Sequence, residues 1–433
     1  RPHNENLAAW LTLGFHASNC EVVHIGCSST PMLHYAVLET GARLGCMITA
    51  SHNPVTDSGI KVFDAHGRKS MPAYETLVSE TAYSLSQEDR EIDEVDRKAW
   101  MKPDAQHTVS HQNWLERRLD LFQSLFEYEL SSSVELRLDS SKGHAASWLA
   151  NWMQSQGLDV EEVSGQAAAM NEGCGAGELS PGQSWTWDET ASSGHLLIQS
   201  LSSRGEGSIL GAALDGDGDR CLLARETSDG VEVVDGDDIA DAILRACPKS
   251  WKVAASIESN LRLLSSVEEK STMEGFETAV GDRWLSHALG SYLPEQEDQP
   301  LLFGIEDSGH IVLPSPHPSN ANQWSLVGDG SVTLLVALLA LQDVGEDSMQ
   351  KGWKKRLSVK NPNRWMWDGQ NELSDTVESM VRMHLYQAGK VTEWQRTGLE
   401  GEANLMLIRC RLNGMDVSFG LRNSGTQEKT SVS

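Results

Sequence analysis

Short apolar runs and helical patterns alternate along most of the chain. Apolar runs bounded by polar or glycine-containing turns predict strands at residues 21–25, 44–48, 134–138 and 417–421. Apolar residues at helical spacing predict helices at residues 6–16, 33–40, 112–127, 146–154 and 237–244. A polar, acidic stretch at 86–104 interrupts this alternation. The mixture of strand and helix patterns predicts α/β domains.

Length, charge and cysteine content narrow the class of protein. A chain of 433 residues favours three or four domains. The longest aliphatic block, 334–341, is too short to cross a membrane and predicts a buried helix. The net charge of −27 disfavours nucleic-acid binding, because a phosphate backbone would be repelled. Seven cysteines without a C-x-x-C pair fit a reducing cytoplasm. We therefore expect a cytoplasmic protein without membrane or nucleic-acid partners.

Three aspartates alternate with glycines in the segment 215–220. Asp215, Asp217 and Asp219 occupy alternate positions, and Arg220 follows directly. Alternate residues of an extended loop point the same way, so three carboxylates can meet at one cation. Oxygen ligands favour a hard ion such as Mg²⁺. The alternative is a solvated acidic turn in a very acidic protein.

A polar loop around Ser51 follows the apolar run 44–48. His52 and Asn53 are its polar neighbours, and Lys61 lies in the next apolar run, 59–63. A serine hydroxyl becomes a good nucleophile only when a base, a metal or a charge network activates it. This segment is therefore a candidate nucleophile loop. The alternative is a serine that merely stabilises a turn before Asn-Pro.

Two further loops carry polar groups suited to a phosphorylated sugar. After the apolar residues 301–303, Glu306, Ser308 and His310 alternate and suit sugar hydroxyls. After the strand predicted at 417–421, an arginine is followed by small polar residues that suit a phosphate group. These candidate phosphate ligands are Arg422, Ser424, Gly425 and Thr426.

Taken in this order, the four segments resemble the active-site loops of the α-D-phosphohexomutase family. That family includes phosphoglucomutases, phosphomannomutases and phosphoglucosamine mutases. The resemblance implies four domains around a central cleft, three similar mixed α/β domains and a smaller α+β C-terminal domain. We expect them at residues 1–130, 131–235, 236–350 and 351–433, with one loop in each. Against the family's usual length, both ends of the sequence are expected to be clipped.

The resemblance also implies a reaction. Ser51 would be carried as a phosphoserine, and its phosphate would share one Mg²⁺ with the three aspartates. The enzyme would move a phosphoryl group between the 1- and 6-positions of a hexose through a 1,6-bisphosphate, which also serves as activator. Arg220 would reach toward the phosphoserine or the substrate. The base that takes the proton of the attacking hydroxyl stays open among His52, Lys61 and His310.

Two segments resemble phosphoglucosamine mutases in particular. These are 170–176 and the Val-Gly-Asp-Arg-Trp segment at 280–284. Gly281, Asp282 and Arg283 are therefore candidate substrate ligands, and Asp282 suits a sugar amine. Asp307 departs from the Gln that is frequent in glucosamine enzymes, which keeps glucose and mannose phosphates open. We expect a phosphosugar as the partner and a monomer or a homodimer.

Two functions of other classes are alternatives. One is a different Mg²⁺ phosphotransferase or a phosphatase, which the ordered set of four loops disfavours. The other is a catalytically silent homologue that acts as a binding protein. The intact Ser51 and the three aspartates favour an enzyme over this second alternative.

Overall fold

The structure is a computed structural model that describes residues 3–88, 111–293, 298–342, 349–360, 363–424 and 429–433. Its α-helices are α1 (Asn4–Ala17), α2 (Thr30–Thr40), α3 (Pro72–Ser86), α4 (His111–Phe126), α5 (Leu149–Ser155), α6 (Trp187–Thr190), α7 (Leu196–Ser200), α8 (Gly236–Ala246), α9 (Leu261–Glu268), α10 (Asp282–Gly290), α11 (Gly330–Leu341) and α12 (Glu372–Ala388).

The strands follow the same order along the chain. They are β1 (Leu44–Thr49), β2 (Gly59–Asp64), β3 (Glu135–Asp139), β4 (Asp159–Glu162), β5 (Ser184–Thr186), β6 (Ile209–Leu214), β7 (Cys221–Glu226), β8 (Gly230–Val234), β9 (Lys252–Ser256), β10 (Glu274–Thr278), β11 (Leu302–Ile305), β12 (Ile311–His317), β13 (Asn320–Gly328), β14 (Leu357–Lys360), β15 (Val391–Thr397), β16 (Met406–Leu412), β17 (Met415–Asn423) and β18 (Lys429–Val432).

Two mixed sheets share one pattern of strand directions. One has the order β4-β3-β6-β7-β8-β5, and the other has the order β10-β9-β11-β12-β13. In each, three neighbouring strands are parallel, and the strands after them along the sheet are antiparallel. The prediction of mixed α/β units is confirmed by these two sheets.

The other two sheets are antiparallel. β1 pairs with β2 in register from Leu44–Asp64 to Thr49–Gly59. The last sheet has the order β14-β18-β17-β16-β15. Helix α12 packs on this sheet through an apolar cluster that includes Val377, Val381 and Ile408. The domain boundaries at 130, 235 and 350 stay predictions.

The helix α11 lies at the centre of the largest apolar core. It is aliphatic on every side and buried from Gly330 to Ala340, as expected of a helix that is hydrophobic all round. The core cluster joins it to α4, α8 and strands of both mixed sheets. Asp329 caps the helix by accepting from the backbone N–H groups of Ser331 at 2.9 Å and Val332 at 3.2 Å. Within the described residues, no helix is long and apolar enough to span a membrane.

Several predicted elements differ from the structure. The strand predicted at 21–25 is wrong, because this segment is irregular apart from a bridge at His24 and joins no ladder of the described sheets. Helix α2 begins three residues before the predicted start, since Ser29 caps it by accepting from the backbone N–H of Met32 at 3.4 Å. The helix predicted at 146–154 is interrupted at Trp148, whose φ of −145° is not helical. Most of the acidic stretch 86–104 lies outside the described residues.

The buried pair beneath α11 yields a stability prediction. Asp329 Oδ2 accepts from Arg118 Nη1 at 2.7 Å, and the side chains are 1% and 0% exposed. We expect Asp329→Ala to lower the free energy of unfolding by about 3–5 kcal/mol, because an unpaired guanidinium would remain buried. Chemical unfolding measures this loss. Arg262→Ala breaks an exposed pair with Glu269 and should cost under about 1 kcal/mol. Equal losses in both variants would contradict the role given to Asp329.

Candidate active site

Three buried aspartates meet in the turn between β6 and β7. Asp215, Asp217 and Asp219 are 1%, 4% and 0% exposed, and each offers one carboxylate oxygen within 4.8 Å of the others. The turn is tight because Asp215 Oδ1 accepts from the backbone N–H groups of Asp219 at 3.1 Å and Arg220 at 3.2 Å. Gly218 supplies a left-handed φ of 73° within it. This geometry collects three like charges at one buried point.

Ser51 contacts this cluster directly. It lies in the connection between β1 and β2, and its Oγ donates a hydrogen bond to Asp215 Oδ2. Its backbone is left-handed, with φ of 47°, and its N–H donates to Thr49 Oγ1 at 3.0 Å. His52 Nδ1 lies 3.4 Å from Ser51 Oγ. The candidate nucleophile and the carboxylates are therefore parts of one site.

Two lysines compensate the carboxylates. Lys61 Nζ, on β2, lies 2.6 Å from Asp217 Oδ2 and 2.8 Å from Asp219 Oδ2. Lys69 Nζ lies 3.1 Å from Asp219 Oδ2 and 2.5 Å from Asp282 Oδ2. Both lysines thus bind the Oδ2 side of the cluster.

The pKa values follow from this balance. Burial opposes the charged form of Lys61, but the three aspartates outweigh burial and raise the pKa of its ammonium group. Burial also opposes ionisation of Asp217 and Asp219, yet the lysine charges lower the pKa of both carboxyl groups. Asp215 is different: burial and its two neighbouring carboxylates raise its pKa to about 7. Only Asp215 therefore titrates near neutrality among the three.

The carboxylate oxygens that accept no hydrogen bond show whether the cluster fits a cation. Among the described residues, Asp217 Oδ1 and Asp219 Oδ1 are buried and accept no hydrogen bond. Buried polar atoms without a partner are rare in proteins, and a cation is one way to satisfy them. Three carboxylates with unpaired oxygens are also the donor set that Mg²⁺ prefers. The residues present therefore fit a hard divalent ion.

The candidate sugar loop lies in the turn between β11 and β12. Glu306 Oε1 accepts from the backbone N–H of Gly281 at 2.5 Å, and Ser308 Oγ donates to Glu306 Oε2 at 3.3 Å. Gly309 O accepts from the backbone N–H of Cys221 at 3.0 Å, which joins this loop to β7. The sugar loop is therefore hydrogen-bonded both to the strand that follows the aspartate turn 215–220, hereafter the metal loop, and to the residue before α10.

His310 links the sugar loop to the acidic cluster. Its Nε2 lies 3.2 Å from Asp282 Oδ2 and 3.6 Å from Asp219 Oδ2. Burial opposes protonation of His310, but the charges of Asp282 and Asp219 raise the pKa of its imidazole. Asp282 therefore touches two cations, Lys69 and His310. An amine would have to compete with both for this carboxylate.

Arg283 and Arg220 differ in their surroundings. Arg283 Nη1 binds Glu75 Oε1 at 2.6 Å and the carbonyl of Ser70 at 3.0 Å, so it joins α10 to the start of α3. Arg220 Nε lies 4.0 Å from Asp215 Oδ2 and has no hydrogen-bond partner among the described residues. Its charge, together with burial, lowers the pKa of His52 to about 3.

The candidate phosphate loop is described as far as Ser424, and Gly425 and Thr426 lie outside the described residues. Arg422 Nη2 lies 3.0 Å from Glu258 Oε1, and Nη1 lies 3.7 Å from Glu402 Oε1. Ser424 O accepts from Arg364 Nη1 at 2.7 Å. The guanidinium of Arg422 is thus held in place by two carboxylates.

Several side chains at the site carry no local signal in the sequence. Lys69 is one, because nothing near it marks it as a partner of Asp219. Thr30 is another: its Oγ1 donates to Asp217 Oδ2 at 2.8 Å, and its N–H donates to Asp217 O at 2.8 Å. Asn171 donates to two carbonyls of the Ser51 loop. Only the segment 170–176, singled out for a different reason, pointed toward this residue.

Models of one known protein family match two parts of the chain, which carry the Ser51 loop and the candidate sugar loop. A family model described as phosphoglucomutase/phosphomannomutase, alpha/beta/alpha domain I, matches residues 1–89, and the model of domain III matches residues 235–356. A phosphoglucosamine mutase from Corynebacterium aurimucosum is 28% identical over 354 residues, covering 80% of this chain and 69% of the relative. One from Lactobacillus johnsonii is 26% identical over 395 residues, covering 88% and 77%.

Solved structures share the fold. A phosphoglucomutase/phosphomannomutase family protein from Burkholderia thailandensis superposes with a TM-score of 0.61 at 16% identity, covering 95% of this chain and 78% of its own. Aspergillus fumigatus N-acetylphosphoglucosamine mutase, in complex with GlcNAc-6P and magnesium, gives 0.54 at 16% identity, covering 98% and 95%. A variant of that enzyme with glucose 1,6-bisphosphate gives 0.56 at 15% identity, covering 100% and 95%.

The unpaired oxygens predict where Mg²⁺ binds. We expect Asp217→Asn to weaken Mg²⁺ binding by about tenfold or more, because it removes one of three converging charges. Isothermal titration of the purified protein measures this. Asp159→Asn, at an exposed position on β4, is the matched control and should bind as the unchanged protein does. Equal Mg²⁺ affinity in the Asp217 variant and the control would contradict the assignment of the metal loop.

Proposed function

Because the chain belongs to the α-D-phosphohexomutase family, we propose that it interconverts the 1-phosphate and the 6-phosphate of a hexose, with glucosamine phosphate as its substrate. The observation that carries this proposal is the hydrogen bond from Ser51 Oγ to Asp215 within the cluster of three carboxylates. A hydroxyl in that position can carry a phosphoryl group beside a cation. Phosphoryl transfer depends chiefly on such positioning and charge stabilisation.

The reaction consists of two transfers at Ser51. Phosphoserine 51 gives its phosphoryl group to the free hydroxyl of a hexose monophosphate, so its O–P bond breaks as a sugar O–P bond forms. The sugar 1,6-bisphosphate then reorients and returns its other phosphoryl group to Ser51 Oγ. A Mg²⁺ ion held by Asp215, Asp217 and Asp219 would neutralise charge on the transferring group. The sugar bisphosphate also explains why an activator is expected.

Each transfer needs a base for the proton of the attacking hydroxyl. His52 Nδ1 lies 3.4 Å from Ser51 Oγ, whereas Lys61 and His310 contact the aspartates. These three side chains stay the candidates. Lys61 contacts Oδ2 of Asp217 and of Asp219, and Lys69 contacts Oδ2 of Asp219, so both lysines stabilise these ionised carboxylates.

Two further groups of residues would bind the substrate. Glu306 and Ser308, joined by their mutual hydrogen bond, would hold ring hydroxyls that are common to both orientations of the sugar. Arg422 and Ser424 would hold the phosphate that is not being transferred. The expected ligands Gly425 and Thr426 stay predictions from the sequence. The ion pairs with Glu258 and Glu402 would fix the guanidinium of Arg422 in position for that phosphate.

Two observations favour glucosamine phosphate over other hexose phosphates. The relatives reported above include phosphoglucosamine mutases that cover most of this chain. The charge of Asp307 also has a structural use, since it pairs with Lys354 and with Arg356, 2.8 Å away. Its departure from the frequent Gln therefore has an explanation that does not involve the sugar. A cytoplasmic location and a monomer or homodimer stay predictions.

Substitution of Ser51 tests the proposal. We expect Ser51→Ala to lose measurable mutase turnover while keeping its fold, because a methyl group cannot carry phosphate. A coupled assay with glucosamine, glucose and mannose 1-phosphates, each with a trace of bisphosphate, measures turnover. The unchanged protein should prefer the glucosamine substrate.

Other outcomes of this assay are equally informative. Turnover retained in the Ser51→Ala protein would overturn the phosphoserine role. A preference for glucose or mannose phosphate would overturn the glucosamine assignment and leave the mutase chemistry in place. No turnover of any substrate by the unchanged protein would contradict the enzymatic proposal and favour a binding protein.

Arg422 provides a second test. A guanidinium clamps a phosphate with two parallel bonds, which an ammonium group cannot reproduce. We expect Arg422→Lys to lower kcat/KM for both the 1-phosphate and the 6-phosphate by about ten- to a hundredfold, equivalent to one charged hydrogen bond. Arg411→Lys, at an exposed pair with Asp416, is the control. A loss confined to one of the two sugar phosphates would contradict the shared clamp.

A further inference from the structure

The segment 170–176 lies between β4 and β5 in the sequence and contacts the Ser51 loop. Asn171 Nδ2 donates to Ser51 O at 2.8 Å and to Asn53 O at 2.9 Å. One side-chain amide therefore binds the carbonyls on both sides of His52. Asn171 is buried, so water does not compete for these bonds. The turn that carries Ser51 is bracketed by a single residue from another part of the chain.

The backbone conformation of Ser51 requires stabilising hydrogen bonds of this kind. Its φ of 47° lies in the left-handed region, which is unfavourable for a residue with a Cβ. A residue keeps an unfavourable conformation only when its surroundings hold it there. The two bonds from Asn171 and the bond from Ser51 N–H to Thr49 Oγ1 supply that hold. Because the backbone fixes the direction of Cβ, the same bonds direct Oγ toward Asp215.

Asn171 is itself oriented from behind. Its Oδ1 accepts from Ser141 Oγ at 2.5 Å, so its amide nitrogen faces the carbonyls of the Ser51 loop. Asp139, at the end of β3, accepts from the backbone N–H groups of Ser141 at 2.8 Å and Gly175 at 2.7 Å. Asn171 has a φ of 62°, a conformation that asparagine tolerates better than most residues. A chain of hydrogen bonds thus runs from β3 to the nucleophile.

The contact between Asn171 and the Ser51 loop is tightly packed. A Cβ on Gly216 of the metal loop would lie 2.9 Å from Met170 Sδ, 3.0 Å from Asn171 Oδ1 and 3.1 Å from Ser51 O. A Cβ on Gly177 would lie 2.4 Å from His52 Cβ. Glycine at these two positions lets the segment 170–176, the Ser51 loop and the metal loop meet in direct contact. A change in Asn171 would therefore be transmitted to Ser51.

From these contacts, and resting on the proposed function, we propose that Asn171 is a positioning residue for phosphoryl transfer at Ser51. It touches neither the sugar nor the transferred group. It acts by holding the backbone of Ser51 and Asn53, so that Oγ meets the phosphoryl group in line. Loss of its two donors should slow transfer to Ser51 more than it weakens binding of substrate or cation.

Two substitutions separate the donors from the rest of the residue. Asn171→Asp keeps the shape of the side chain and the oxygen that accepts from Ser141 Oγ, but it loses the amide hydrogens that are donated to Ser51 O and Asn53 O. Asn171→Gly keeps the left-handed backbone and loses the donors without adding charge. Starting from protein whose Ser51 has been dephosphorylated, the rate of Ser51 phosphorylation by glucose 1,6-bisphosphate is followed by intact-protein mass spectrometry, with kcat, KM and Mg²⁺ affinity measured beside it. Glu172→Ala, at the exposed neighbouring position, is the matched control.

We expect both Asn171 variants to phosphorylate Ser51 and to turn over about ten- to a hundredfold more slowly, with KM and Mg²⁺ affinity within about threefold of the unchanged protein. The Glu172→Ala protein should match the unchanged protein. Two folded Asn171 variants with unchanged phosphorylation rates would overturn the inference. So would losses that fall equally on KM and Mg²⁺ affinity, since these indicate general damage. An unchanged protein whose Ser51 takes up no phosphoryl group would overturn the proposed function, and the inference with it.

Discussion

The burial of three carboxylates at one point is the constraint on which the rest of the site depends. Asp215, Asp217 and Asp219 are almost fully excluded from water, and three like charges in that position are unfavourable without compensation. The compensation comes from distant parts of the sequence. Lys61 and Lys69 come from the segment around β2, and Thr30 binds Asp217 from the first turn of α2. The segment around β2 and the aspartate turn are therefore held together by ion pairs between the lysines of one and the carboxylates of the other.

This constraint also explains how a strongly acidic chain can bind an anion. The net charge is −27, yet the cations around the site are held in fixed positions by specific carboxylates. Arg422 is placed by Glu258 and Glu402, and Lys69 is placed by Asp219 and Asp282. Local arrangement, rather than net charge, therefore sets the field that a phosphate would meet.

The sequence predicts some features of the site well and others poorly, for physical reasons. Alternation of acidic residues makes the convergence of the aspartates predictable, because side-chain direction in an extended segment is a local property. The all-aliphatic pattern makes α11 predictable as a buried helix in the same way. Lys69 and Asn171 could not be assigned roles, since their partners lie 150 and 120 positions away. The failed strand at 21–25 has the same origin, because a strand forms only where a partner pairs with it.

The phosphorylation state of Ser51 tests the central claim most directly. The purified protein is incubated with glucose 1,6-bisphosphate and Mg²⁺, digested, and its phosphorylated peptides are mapped by mass spectrometry. The account predicts one phosphoryl group, on Ser51, and an isotopic label on that group should pass to the sugar when unlabelled glucosamine 1-phosphate is added in excess. A phosphoryl group on another residue, or none at all with Mg²⁺ bound, would contradict it.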